Sequence, residues 1–379
     1  MAYQKHQQAL PALGPGNQSF LVFHAFDGGK VARSAYIHAG IHADEHPGLL
    51  VMHHLGHLLN ALDKEGRVLG KVTLAPYANP VGMAQKTFGH VTGRFYLESG
   101  ENFNRHYPCI QQDFAAALAG FRFQKNDITA FKAAFQSLLA RHTPLDPVAC
   151  NKQHLLAEAF RHDLVLDLHC DTSSILHIYS ATDQADRARR LARATGVKTV
   201  FLEEEAGGKP FDESYAKPWK HLRQAGLVDE ALQGFSATLE LRGQADVDDA
   251  VALDDARGIL RFLAAEGLVQ LETPHEVMPD EEICIYPLEG VAPVYSPATG
   301  IIVYKKQVGD SIRQGELLAE VVVMDAGLDT PRVPLYSGVD GVVVVRHHIK
   351  LVRAGQRVAL LAGMTPLADR LPGGLLKDF

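Results

Sequence analysis

Ser34-Ala35-Tyr36-Ile37-His38-Ala39-Gly40-Ile41-His42-Ala43-Asp44-Glu45-His46-Pro47-Gly48 carries the pattern from which the fold is read. Ser34–Ala39 is a strand-type run that stops at Gly40, a residue suited to a turn. Pro47 suits the first turn of a helix, where its missing N–H costs little. Beyond it, Leu49, Leu50, Met52, Leu55, Leu58, Leu59 and Leu62 recur at helical spacing and predict one long helix with a buried stripe. Strand, polar turn and helix make the repeating unit of an α/β sheet, whose ligand sites lie at the carboxyl ends of its strands.

Further strands are predicted on both sides of this unit. Phe20–Phe26 precedes it, Val72–Ala75 follows it, and Asn79-Pro80 marks the next turn. Gln111 to Arg161 is mainly helical, most clearly in the runs AAALAG and FKAAFQSLLA. Leu164–Leu168, Ile175–Tyr179, Thr199–Glu203 and Ala237–Leu241 are short apolar runs of buried-strand type. Strands interleaved with helices predict an α/β sheet covered by helices on both faces. From about Gly290 the composition shifts to Val, Ile, Gly and turn residues, and a repeat appears. Tyr295-Ser296 with Gly300 recurs as Tyr336-Ser337 with Gly341, and Ile312-Arg313-Gln314-Gly315 with Ala319 recurs as Val352-Arg353-Ala354-Gly355 with Ala359. Two similar strand-turn-strand halves predict a small pseudo-symmetric, barrel-like all-β domain over 290–365, behind a first domain over 1–285. Glu281–Leu288 is expected to bridge them.

At 379 residues the chain is long enough for two domains, and 46% apolar with 21% charged residues is ordinary for a folded chain. A formal net charge of −7 without a run of Lys and Arg disfavours nucleic acid and anionic membrane as partners. No stretch reaches the roughly 20 apolar residues of a membrane span. The first twenty residues do not read as a secretory signal. The four cysteines, Cys109, Cys150, Cys170 and Cys284, are too far apart for a metal ribbon or a redox pair. Together these features favour the cytoplasm.

The chemistry concentrates at strand ends. His42 and Glu45, three apart on a turn leaving a strand, can face one cation, and imidazole with carboxylate suits zinc. A third ligand must come from elsewhere, and His169 in Asp167-Leu168-His169-Cys170-Asp171 closes an apolar run that ends in the same crevice. Asp167 shares its face by strand alternation and is placed to orient a ligand histidine. Each of these residues also has an ordinary structural role open to it. HxxE is common by chance, and His169 alone has the pattern of a core histidine. Among 19 histidines some clusters are accidental. His53, His54 and His57, and likewise His347-His348, read better as solvated polar faces.

Gly40-Ile41-His42-Ala43-Asp44-Glu45 resembles the GIHGDE motif of the succinylglutamate desuccinylase/aspartoacylase family, within the zinc carboxypeptidase-like hydrolases. The resemblance continues in order through Asn79-Pro80 with Gly82, Asn102-Phe103-Asn104-Arg105, Asp167-Leu168-His169 and Thr238-Leu239-Glu240, about 200 residues in all. It implies a mixed central sheet and one zinc ion per chain on His42, Glu45 and His169. It also implies Glu240 as the catalytic carboxylate, and Asn104 with Arg105 as the grip on an acidic or zwitterionic substrate. Ala43 departs from the usual glycine, and Leu241-Arg242-Gly243 departs from the usual small residues. The β repeat resembles a biotinyl/lipoyl-like hybrid barrel through Ser296-Pro297-Ala298-Thr299-Gly300 and Val308-Gly309-Asp310 with Gly315. No lysine occurs between Lys306 and Lys350 to carry a cofactor.

The expected activity is therefore a zinc-dependent amidohydrolase, a deacylase of small N-acylated amino acids or related amines. Glu240 would act on the attacking water's proton, and its alternative is an ion pair with Arg242. Arg94, in the polar stretch Gly93-Arg94-Phe95-Tyr96, would polarise the carbonyl, and the alternative for Arg105 is a surface salt bridge. Arg242 would add a second anion contact if its strand is regular. Two other functions compete: a zinc carboxypeptidase acting on peptides, and a non-catalytic metal-binding or carrier protein. The bulk of an α/β enzyme favours a homo-oligomer.

Overall fold

In the computed structural model, which describes residues 3–118, 123–272 and 278–374, nine strands form one mixed sheet. They are β1 (Gln4–Ala9), β2 (Phe20–Asp27), β3 (Ser34–Ala39), β4 (Lys71–Ala75), β7 (Leu164–Asp171), β8 (Leu176–Ala181), β9 (Thr199–Glu203), β10 (Phe235–Gly243) and β11 (Cys284–Pro287). Their order is β1-β2-β4-β3-β7-β10-β8-β9-β11. The centre, β4-β3-β7-β10, is parallel, whereas β8 runs against β10. A short hairpin of β5 (Lys86–Thr87) and β6 (His90–Val91) stands apart.

Alternation along the strands sorts their side chains onto two helical layers. Ala35, Ile37 and Ala39 of β3, Leu164, Leu166 and Leu168 of β7, and Ala237 and Leu239 of β10 pack with α1 (Pro47–Lys64), α6 (Ala185–Thr195) and α8 (Asp249–Ala265). The opposite face meets α3 (Gln111–Leu118), α4 (Ile128–Leu139), α5 (Pro147–Ala159) and α7 (Phe211–Gln224), through Tyr36, Val165, Phe135 and Phe211 among others. The predicted stripe of α1 is buried at Met52, Leu55, Leu59 and Leu62, with Leu49, Leu50 and Leu58 packed beside it. Ala119 and Gly120, at the end of the expected AAALAG helix, lie outside the described residues.

Two elements differ from expectation. β1 is fully exposed and polar, so no apolar alternation announced it; it is held by its pairing with β2. The bridge expected over Glu281–Leu288 contains β11, which adds to the sheet parallel to β9.

A single turn, α2 (Pro80–Met83), follows β4, and the remaining strands are β12 (Val291–Tyr295), β13 (Gly300–Tyr304), β14 (Ser311–Ile312), β15 (Leu317–Val322), β16 (Val333–Tyr336), β17 (Gly341–Arg346), β18 (Leu351–Val352) and β19 (Arg357–Gly363). They form two four-stranded antiparallel sheets, β12-β19-β17-β14 and β16-β15-β13-β18, around Ile302, Leu318, Val343, Val358 and Leu361. The sequence repeat is a structural one. Gly315 N–H donates to the Ser337 carbonyl and Gly355 N–H to the Ser296 carbonyl, both at 2.8 Å, so each half closes the turn of the other. These sheets pack on the main one through Phe201, Tyr286, Leu288, Val344 and Leu360. Backbone bonds from Ile175 N–H to Val344 (3.0 Å) and from Arg346 N–H to Ser173 (2.9 Å) fasten them beside the end of β7.

Candidate metal centre and active site

Register brings the polar residues together. In the parallel ladder His38 of β3 lies opposite Asp167 of β7, and Thr238 and Glu240 of β10 lie opposite Asp167 and His169. All five belong to the set that alternates away from the α1, α6 and α8 layer, so they project over the α7 side at the carboxyl ends of the strands.

The loop after β3 supplies the other half. Gly40 turns it at φ +74°, where a Cβ would lie 2.9 Å from Met83 Cε. Asn79 accepts from Gly82 N–H (2.8 Å) and donates to the Ile41 carbonyl (2.7 Å), clamping that loop to α2. Gly93 presses so closely that a Cβ there would sit 2.3 Å from Asp44 N, and Ala43 N–H donates to its carbonyl at 2.9 Å. The predicted Asn79-Pro80-Gly82 turn is therefore a brace for the metal loop.

His42, Glu45 and His169 converge, all buried, with candidate ligand atoms within 4.8 Å of one another. His42 Nδ1 is 2.9 Å from Glu45 Oε1, and His169 Nδ1 is 2.8 Å from Glu45 Oε2. The outer ring nitrogens are tied off: His42 Nε2 meets Asn102 Oδ1 at 3.0 Å, and His169 Nε2 meets Asp167 Oδ2 at 2.9 Å. His42, hydrogen-bonded through Nε2 to Asn102, and His169, ion-paired through Nε2 with Asp167, each turn Nδ1 towards one carboxylate, that of Glu45. Burial and the neighbouring Arg94 push the His42 pKa down, which favours the neutral, ligating form. The donor set, one carboxylate and two imidazoles, fits zinc or a similar divalent ion.

Behind the triad runs a buried chain. Tyr36 Oη meets His38 Nδ1 at 3.0 Å, and His38 Nε2 meets Asp167 Oδ1 at 2.9 Å. Asp167 thus stands between both histidines; burial lowers the His169 pKa, but the Asp167 and Glu45 charges outweigh it and hold that pKa well above the ordinary value, so an ion bound there displaces a proton. Burial alone would raise its pKa, but His169 and His38 hold it below the usual carboxylate range. His38 and Asn102 were not singled out from sequence as site residues. His38 sat two residues from Tyr36 in the same strand, and Asn102 stood inside a motif whose later residues drew attention.

Arg94 Nη1 donates to Glu45 Oε1 at 3.0 Å and also lines the cavity. Glu240 lines it too, and its Oε2 has no hydrogen-bond partner. Burial and the Glu45 carboxylate push the Glu240 pKa up to about 8. Asn104 is a strut as well as a lining residue: its Oδ1 accepts from Phe211 N–H at 3.0 Å, and its Nδ2 lies 3.2 Å from His169 Nε2. Arg105 lines the cavity with one guanidinium nitrogen bonded to the Asn104 carbonyl at 2.7 Å.

Arg242 is not at the site, and this corrects the expectation. β10 bulges between Glu240 and Gly243, Arg242 takes φ +68°, and its guanidinium turns to Asp255 with bonds of 2.7 and 3.0 Å. The expected alternation fails because one residue is inserted in the ladder. The same fact removes Arg242 as an ion partner of Glu240. Other cations reach the cavity instead: Arg357, 3.6 Å from Asp171, and Arg370. Arg357 carried a faint signal, since the repeat offset that matches Gly315 to Gly355 places Leu317 at its equivalent position.

The cavity encloses about 130 Å³. Leu288, Val291, Arg357, Leu360 and Arg370 close it from the C-terminal side. Away from it, His53 and His57 meet edge to face in the open with ring centroids 4.5 Å apart, and His54 bonds Asp249 at 2.9 Å. Among the described residues the convergent metal-ligand group is the His42, Glu45, His169 triad. No helix among the described residues is long and apolar enough to cross a membrane.

Comparison with known proteins bears on the fold and the family. The model of the succinylglutamate desuccinylase/aspartoacylase catalytic domain matches residues 31–265. An N-alpha-acetyl-L-2,4-diaminobutyric acid deacetylase of Halomonas elongata is 27% identical over 335 residues, covering 87% of this chain and 82% of the relative. A crystal structure of a succinylglutamate desuccinylase/aspartoacylase family protein from Shewanella amazonensis SB2B superposes with a TM-score of 0.82 at 26% identity, covering 95% of this chain and 98% of the other. The fold is also shared with an ectoine utilization protein from Ruegeria pomeroyi, at a TM-score of 0.67, 17% identity and 96% coverage of both chains.

Proposed function

Because the chain belongs to the succinylglutamate desuccinylase/aspartoacylase family, we propose that it is a zinc-dependent amidohydrolase. It removes the acyl group from a small N-acylated amino acid or related amine and releases a carboxylate and an amine. The observation that carries this reading is the pair of imidazoles whose Nε2 atoms are anchored on Asn102 and Asp167, leaving both Nδ1 atoms beside the Glu45 carboxylate, with Glu240 in the same cavity. The deacetylase named for the Halomonas relative supports it.

His42, Glu45 and His169 would hold one ion. Bound there, zinc supplies a Lewis acid for a carbonyl oxygen and lowers the pKa of water towards about 7. Glu240, a carboxylate whose pKa is raised into the working range, takes a proton from the attacking water and returns it to the departing nitrogen. Arg94 stands beside Glu45, where its guanidinium meets developing negative charge on the carbonyl oxygen. Arg105 offers paired N–H donors to a substrate carboxylate. The strands that cap the cavity favour a small ligand over an extended peptide, which needs an open groove.

The test is a panel of N-acetyl and N-succinyl amino acids against short peptides, assayed with zinc and with chelator. Turnover of acyl amino acids that stops on chelation and returns with zinc is expected. Turnover of peptides only would overturn the deacylase reading in favour of a carboxypeptidase, and no turnover with metal bound would favour a binding protein.

A further inference from the structure

The cavity has an acidic corner that the hydrolytic reading leaves unused. Glu203 ends β9, is 8% exposed, and lines the cavity. Among the described residues its carboxylate has no hydrogen bond or ion pair. Burial and the charges of Asp212, Glu213 and Glu289 push its pKa well above the ordinary range, and Arg105 only partly offsets them. Asp212, in the first turn of α7, lines the same cavity. It accepts from Thr238 Oγ1 at 2.9 Å and from Glu213 N–H at 2.8 Å, and burial with Asp167 pushes its pKa up to about 6.

The obvious local cation is already engaged. Lys217 Nζ lies 2.5 Å from Glu213 and 2.8 Å from Glu205. A buried carboxylate without a partner is costly, and such groups in native proteins are satisfied by a cation, an ion or a ligand. Thr238 belongs to the strand that carries Glu240, so the acidic corner is tied by one hydrogen bond to the element bearing the proposed base.

Resting on the amidohydrolase reading, we propose that Glu203, with Asp212, is a subsite for a primary ammonium on the amine part of the substrate, so that the enzyme deacylates N-acylated diamino acids. The substrate's carboxylate falls to arginine and its side-chain ammonium to Glu203. Such a ligand is dipolar, as is the cavity, where Arg94, Arg105, Arg357 and Arg370 stand with Asp171, Glu203, Asp212 and Glu240. The raised pKa favours a protonated Glu203 in the empty cavity; an arriving ammonium favours its ionised form, the proton passing to water, and pairs with it, whereas the methyl analogue forfeits that pair.

The zinc-loaded enzyme is assayed with the Nα-acetyl derivatives of 2,4-diaminobutyrate, ornithine and lysine. Each is paired with the isostere in which methyl replaces the side-chain ammonium. Wild type is expected to prefer the ammonium member of at least one pair by roughly 100-fold in kcat/KM, a ratio that Glu203→Gln cuts at least about tenfold, chiefly through KM. Glu203 has a rival role, holding Arg105 in place. That role would slow both members of each pair alike and leave the ratio unchanged, which overturns the proposal, as does the absence of any preference in wild type. Calorimetric binding of the free diamino acids against their methyl isosteres to the wild-type enzyme decides the subsite separately. If no acyl amino acid is hydrolysed, the amidohydrolase reading fails while this arm still shows whether the corner selects an ammonium.

Discussion

His42 and His169 each present Nδ1 because each Nε2 is spoken for, one by Asn102 and the other by Asp167. A ring held in orientation by a neighbouring acceptor needs no rotation to bind an ion, and His169, whose pKa its carboxylate neighbours raise, gives up a proton as it does so. Glu240 differs from Glu45 in the same cavity. Glu45 is bracketed by both histidines and Arg94, whereas Glu240 keeps an oxygen without a partner and a raised pKa. Replacing Glu240 with Gln is therefore expected to lower kcat by roughly 10²–10⁴-fold. Metal content measured by elemental analysis should stay unchanged. Substantial residual hydrolysis would assign the proton transfer to another group.

At the scale of elements, β10 does two jobs through one irregularity. Its regular part aligns Thr238 and Glu240 with Asp167 and His169, and its bulge then throws Arg242 out to Asp255. Asp255 is 6% exposed, so its partner matters to stability more than to the substrate. Arg242→Ala is expected to lower unfolding stability by about 1–3 kcal/mol while KM for acyl amino acids stays within about twofold. Denaturant melts and steady-state kinetics check the two halves of that statement, and a large rise in KM would return Arg242 to the site. The bulge was invisible beforehand because strand alternation, applied to Thr238-Leu239-Glu240-Leu241-Arg242, assumes a period of two throughout.

For the molecule as a whole, the C-terminal sheets are part of the pocket. Their twofold repeat builds a stable pair of sheets, and the departure from it, Arg357 where the first half has Leu317, faces the cavity. If that guanidinium meets substrate charge, Arg357→Ala raises KM for the preferred acyl amino acid by roughly 10- to 100-fold, as expected for a lost charged hydrogen bond, with bound metal unchanged. Steady-state kinetics together with elemental analysis would show it, and an unaltered KM would reduce these strands to a cover.

Local pattern determined the inner strands of the main sheet, the long helix after Pro47, the α/β class and the β repeat, while the ordered motifs supplied the mixed sheet and the candidate triad of His42, Glu45 and His169. Each depends on short-range periodicity or on an ordered set of motifs, which a chain carries in its own order. Tertiary structure decided the rest. The strand register set His38 against Asp167, the bulge sent Arg242 away, and the fold-back of β19 brought Arg357 into a pocket that also holds Glu203 and Asp212. Such contacts join residues far apart in sequence, and one inserted residue in a ladder reverses a side chain, so periodicity alone contains neither.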